Sequence, residues 1–118
     1  MKILIVDDDT AFRMRTSMLL RRVGYAVLSA SSGVEALNML LTMENLPDLI
    51  LLDLAMPEMD GWRFREIQRN HSRFWNIPVL LVTEAPVSPE YLWTLGAVGQ
   101  VLKPAEPRDL LKAVMASE

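Results

Sequence analysis

The 118-residue chain is 51% hydrophobic and 23% charged, with a net charge of −3 at neutral pH; this suits a single folded domain over residues 1–118 and excludes a disordered or fibrous chain. Zero cysteines and a single histidine, His71, exclude disulfides, thiolate metal sites, cysteine nucleophiles and a histidine-built zinc centre. The weak negative charge gives no electrostatic reason to bind nucleic acid or anionic membranes, and no apolar run nears the roughly 20 residues that cross a bilayer, so a cytoplasmic setting is expected.

Along the chain, residues 3–6 form an apolar run that reads as a strand and ends directly in Asp7-Asp8-Asp9, with no small-residue signal cleavage site. A helix follows with Phe12, Thr16, Leu19, Leu20 and Val23 on one stripe; Asp9 or Thr10 is its cap and Gly24 its stop. Residues 26–30 read as a second strand. A second helix opens on Ser32 and Glu35 at capping-box spacing and ends before Pro47. The third strand, residues 49–52, closes on Asp53. The third helix covers about 61–70, and Arg63, Arg65, Arg69 and Arg73 read as a solvated face.

Residues 79–82 form the fourth strand, closed by Thr83. A short fourth helix starts at the Ser88 cap with Pro89 in its first turn and ends by Gly96. The fifth strand, 100–102, runs into Lys103-Pro104, and a last helix from about Pro107 buries Leu110, Leu111 and Val114. Trp62, Trp75 and Trp93 read as partly buried packing, with Trp93 and Tyr91 the pair whose exposure would mark an interface. The methionines read as core fillers.

Five strand–helix alternations, with strands 1, 3 and 4 apolar at every position, predict an α/β doubly wound (βα)5 sandwich around a parallel sheet. Ligands in such sheets bind beyond the carboxyl ends of the strands. Asp7, Asp8, Asp53, Thr83 and Lys103 all fall there. Clustered carboxylates repel unless a cation neutralises them, and an open acidic mouth matches magnesium, which takes a few carboxylate oxygens and keeps several waters. A glycine-lined nucleotide loop is absent, and three aspartates would repel a phosphate held only by backbone amides. The consistent chemistry is a carboxylate nucleophile that forms an aspartyl phosphate, with metal, ammonium and hydroxyl offsetting the phosphoryl charge.

Ile5-Val6-Asp7-Asp8-Asp9, Leu52-Asp53-Leu54-Ala55-Met56-Pro57-Glu58-Met59-Asp60-Gly61, Val82-Thr83 and Leu102-Lys103-Pro104 together resemble, in order, the motifs of response regulator receiver domains of two-component signalling. The resemblance spans the chain and implies a flavodoxin-like three-layer sandwich with sheet order 2-1-3-4-5. It implies that Asp53 is the phosphoacceptor, that Asp7, Asp8, Asp53 and the carbonyl of Ala55 hold Mg2+, and that Thr83 and Lys103 contact the phosphoryl group. A sensor histidine kinase or histidine phosphotransfer protein would be the donor. A downstream effector protein or domain would read the face of helix 4, strand 5 and helix 5, which could also form a homodimer. The domain would assist its own phosphorylation without turning over an external substrate.

Three features depart from the family pattern: the stretch from Thr83 to Gly96 is shorter than usual and carries Pro86 and Pro89, Glu84 stands where a small residue usually follows the hydroxyl, and Gln100 replaces the switch aromatic. The last two support a second reading, a pseudo-receiver acting as a phosphorylation-independent interaction module. A dehalogenase-like phosphotransferase would need an aspartate at Ala55 and is set aside.

Overall fold

The computed structural model describes residues 1–118. Strands β1 (Lys2–Val6), β2 (Ala26–Ala30), β3 (Leu49–Leu52), β4 (Val79–Thr83) and β5 (Gly99–Leu102) alternate with helices α1 (Thr10–Arg22), α2 (Gly33–Thr42), α3 (Gly61–Arg69), α4 (Pro89–Leu95) and α5 (Pro107–Ala116). All strand pairs are parallel and the sheet order is β2-β1-β3-β4-β5, as the resemblance implied.

The unbroken apolar runs find their reason in two cores, one on each face of the sheet. Ile3 and Ile5 of β1, Leu49 and Leu51 of β3, and Leu80 and Val82 of β4 pack with Phe12 and Leu20 of α1 and Leu110 and Val114 of α5. The intervening residues Leu4, Val6, Ile50, Leu52, Val79 and Leu81 pack with Ala36 and Leu40 of α2, Phe64 of α3 and Leu95 of α4. Alternate side chains of a strand point to opposite faces, so a strand covered on both faces must be apolar throughout. The order of pairing reverses at β1 and β3, which opens a crevice at their carboxyl ends.

Helix ends follow local chemistry. Ser32, Asp60 and Ser88 each accept a hydrogen bond from the backbone N–H three residues on, and Gly96 closes α4 in the left-handed conformation at φ 63°. The capping box at α2 is one-sided: Glu35 accepts from the Ser31 hydroxyl instead of reaching back to the Ser32 N–H.

Three readings of individual side chains are corrected. Val23 caps α1 outside its buried stripe and is 52% exposed, because the chain turns away at Gly24. Trp62, Trp75 and Trp93 are all exposed; Trp62 meets Tyr91 edge-on across the α3–α4 boundary with ring centroids 5.4 Å apart. Arg65 is buried, not solvated. Its Nε donates to Leu95 O (2.9 Å) and its Nη2 to Gly96 O (3.2 Å), so the guanidinium caps the C-terminal end of α4, where exposed carbonyls favour a cation. Arg69 adds a bond to Thr94 O at 2.6 Å, and Arg73 caps α2 through Leu40 O and Met43 O. Arginines of α3 and the segment after it thus secure both neighbouring helices.

Candidate functional site

The end of β1 and the end of β3 deliver the acids. Asp7 and Asp53 are buried and Asp8 is exposed, and their carboxylate oxygens lie within 4.8 Å of one another. The local backbone builds these positions. Asp53 N–H donates to Val6 O at 3.0 Å, which ties the two strand ends together beyond the ladder. Asp7 Oδ1 accepts from Asp9 N–H at 2.9 Å, and the Arg13 guanidinium holds the Asp7 carbonyl at 2.7 Å. Ala55 N–H donates to Asp53 Oδ1 at 3.2 Å, which orients the carboxylate.

Asp9 accepts from Phe12 N–H at 3.1 Å and is therefore the cap of α1, as expected of the third aspartate. That bond holds its carboxyl below the usual carboxylate range.

Lys103 enters from the end of β5, with a cis peptide bond to Pro104. Its ammonium lies 2.6 Å from Asp7 Oδ2, 3.9 Å from Asp53 Oδ2 and 4.5 Å from the centroid of the Phe12 ring beneath it. One ammonium thus bridges two buried carboxylates while an aromatic face supports it from below. Burial, followed by the charge of Asp7, raises the Asp53 pKa to about 6; Lys103 and the Ala55 N–H pull the other way without winning. A carboxylate so unwilling to ionise marks a place prepared for more positive charge than the protein supplies.

Three hard oxygen donors at one open edge, one of them exposed, suit magnesium, which needs few protein ligands and retains water. Receiver domains bind Mg2+ through such acids. Ala55 is exposed beside them in the β3–α3 loop. The loop's shape depends on Gly61: a Cβ there would lie 2.5 Å from Asp53 O and 2.7 Å from Leu54 Cα, so any side chain must displace the backbone that carries Asp53.

Thr83 is buried at the end of β4, opposite Leu102, and its carbonyl accepts from Lys103 N–H at 2.8 Å. This puts hydroxyl and ammonium on adjacent strand ends, although the hydroxyl here donates to Ala85 O at 2.8 Å. Glu84 follows Thr83 at the start of the loop after β4. It is exposed and lines a cleft of about 690 Å³ with Phe12, Arg15, Lys103 and Leu110 between α1 and α5.

Two contributors were not singled out in the sequence, Arg13 and Phe12. Phe12 carried only a core signal, and Arg13 differs from its neighbouring arginines only in facing the loop after β1.

The chain matches the family described as the response regulator receiver domain over residues 3–115. Among curated proteins it is 34% identical over 117 residues to a probable transcriptional regulator, ycf27, of Guillardia theta, covering 98% of this chain and 44% of that one. It is 35% identical to the transcriptional regulatory protein SrrA of Staphylococcus aureus, covering 98% and 46%. The chain thus spans less than half the length of these relatives. The solved structure of the chemotaxis response regulator CheY4 of Vibrio cholerae superposes with a TM-score of 0.88 at 34% identity, covering 99% of this chain and 98% of that one. The fold, the convergent acids and these matches agree: the chain belongs to the response regulator receiver domains of two-component signalling.

Proposed function

We propose that the domain is a phosphoacceptor switch in which Asp53 takes a phosphoryl group from a histidine kinase or histidine phosphotransfer protein. The observation that carries this reading is the convergence of Asp7, Asp8 and Asp53 at one sheet edge with Lys103 bridging two of them. Asp7, Asp8, Asp53 and the carbonyl of Ala55 would hold a magnesium ion, which when bound supplies positive charge against the phosphoryl oxygens.

The chain's own groups do the rest. The Ala55 N–H fixes the Asp53 carboxylate, one of whose oxygens forms the new bond to phosphorus. The phosphorus–nitrogen bond of the donor phosphohistidine breaks as it forms, and the imidazole keeps the electron pair. The Lys103 ammonium is near enough to turn from Asp7 to an incoming phosphoryl oxygen, and the Thr83 hydroxyl can leave Ala85 O to donate to another.

The face of α4, β5 and α5 would pass the change to an effector protein or domain, or to a second copy of the chain. Trp93, 87% exposed on α4, and Leu102, 47% exposed on β5, give that face apolar area. A relative of 37% identity over 81 residues is a sensor histidine kinase, CheAY of Helicobacter pylori, and other relatives are transcriptional regulators; both support a kinase upstream and an effector downstream. That pairing supports a cytoplasmic setting; no helix is long and apolar enough to cross a membrane.

Incubation with a small-molecule phosphodonor and magnesium should add one phosphoryl mass to the wild type and none to Asp53→Asn, by intact mass spectrometry. An increment that survives the substitution would remove Asp53 from the role. Wild-type protein that never gains it, while binding an effector, would make the domain a phosphorylation-independent module.

A further inference from the structure

Gln100 on β5 occupies the position where the resemblance expects an aromatic, and its amide has a definite task. Its Oε1 accepts from Val87 N–H at 2.8 Å and its Nε2 donates to Val87 O at 2.8 Å. Both backbone groups of one loop residue are thus satisfied by one side chain, as a neighbouring strand would satisfy them. Within residues 84–87 the only other hydrogen bond is the one from the Thr83 hydroxyl to Ala85 O. Val87 also packs against the core shared by α2, α3 and α4. The segment from the end of β4 to the start of α4 therefore hangs on two polar ties, one to Thr83 and one to Gln100.

The opposite end of α4 is held differently. Arg65 bonds Leu95 O and Gly96 O from a buried position, and Arg69 bonds Thr94 O. Charge-assisted bonds of this kind are roughly twice as strong as neutral ones, and they sit at the negative end of the helix dipole. The neutral amide clamp on half-buried Val87 and Gln100 lies where water can replace it. Any force on α4 from the site will therefore open the end held by Gln100 before the end held by arginine.

We propose that Gln100 is a positioning residue that latches the N-terminal end of α4, and that α4 pivots about its arginine-capped C-terminal end when Thr83 turns to a phosphoryl group. The second half rests on the phosphoacceptor reading above. When the Thr83 hydroxyl leaves Ala85 O, one of the two ties is gone and the loop strains against the Gln100–Val87 pair. Its release frees the first turn of α4, while Gly96 and Ala97 keep their bonds to Trp93 O and Leu92 O.

Hydrogen exchange of individual amides, followed by NMR on the full chain, tests both halves. Without any ligand, Gln100→Leu should make the Val87 amide exchange about tenfold faster or more and leave Gly96 and Ala97 unchanged. Gln100→Glu, which keeps the acceptor but faces Val87 O with a carboxylate, should fall between. In the wild type, magnesium with beryllofluoride as phosphoryl analogue should speed exchange at Val87 but not at Gly96 or Ala97. The analogue should add little to Gln100→Leu, whose latch is already open.

Unchanged Val87 exchange in Gln100→Leu overturns the latch. Faster exchange at Gly96 on analogue binding, or none at Val87, overturns the pivot. Fluorine NMR reports analogue uptake separately: absent uptake overturns the phosphoacceptor reading and the pivot with it, while the ligand-free comparison still decides the latch.

Discussion

Replacing Arg65 with leucine is expected to lower the unfolding free energy by about 3–4 kcal/mol, a large share of the roughly 5–15 kcal/mol that holds a domain of this size. The guanidinium is buried without a carboxylate partner. Burial and the nearby charge of Arg69 lower its pKa to about 10, so it stays charged at neutral pH. Its compensation comes from four acceptors: Leu95 O, Gly96 O, Gln68 Oε1 at 2.7 Å and Ile77 O at 3.4 Å.

Leucine fills part of the volume but leaves the α4 carbonyls and the fully buried Gln68 amide oxygen without donors, and each such orphan costs about 1–3 kcal/mol. Lysine should recover less than half of the loss, because one ammonium cannot span acceptors that a planar fork reaches from α3 to α4. Arg69→Ala is the control: its bond to Thr94 O is exposed, so its cost should stay below about 1 kcal/mol. Urea unfolding of the three variants measures this. An Arg65→Leu loss no larger than that of Arg69→Ala would show that the network is not what fixes α4 to α3.

Arg65 also shows where sequence patterns stop. In the sequence it is one of several arginines near the third helix, and a long charged side chain is solvated by default. What buries it is the C-terminal end of α4 arriving from 30 residues away, an event with no local signature. Elements whose cause is local were legible: runs apolar at every position became strands covered on both faces, and Ser32, Ser88 and Gly96 cap as their chemistry dictates. The acids were legible too, because sheet topology alone brings the ends of β1 and β3 together. Gln100 was legible only as the absence of an aromatic, since its partner is a backbone that any residue but proline could have supplied at position 87. The tryptophans erred in the same way: average burial says little about three residues on helix surfaces and a loop.

The site itself should weaken the metal-free fold. Asp53 has a pKa near 6 in the folded chain against 3.8 for a free aspartate, so between these values the folded state holds a proton that the unfolded state has lost. The contribution of Asp53 to stability without metal therefore falls as pH rises from about 4 to 6 and then levels off, the reverse of a salt-bridged aspartate. About two units at about 1.4 kcal/mol each, reduced because water reaches the open edge of the crevice, leave about 1–2 kcal/mol.

Asp53→Asn cannot ionise, so in chelator it should match the wild type near pH 4 and exceed it by that amount at pH 7. Magnesium inverts the order by favouring the ionised carboxylate, which raises wild-type stability at neutral pH with little effect on Asp53→Asn. Urea midpoints at pH 4, 5, 6 and 7, with chelator and with magnesium, read the whole pattern. Equal midpoints for the two proteins in chelator at pH 7 would mean that Lys103 already neutralises the acids and that the crevice has no electrostatic need of a metal. The opposite result ties the proposed function to a destabilising arrangement: the burial and the repulsion that cost the metal-free fold stability are what give the ionised Asp53 its need of a cation.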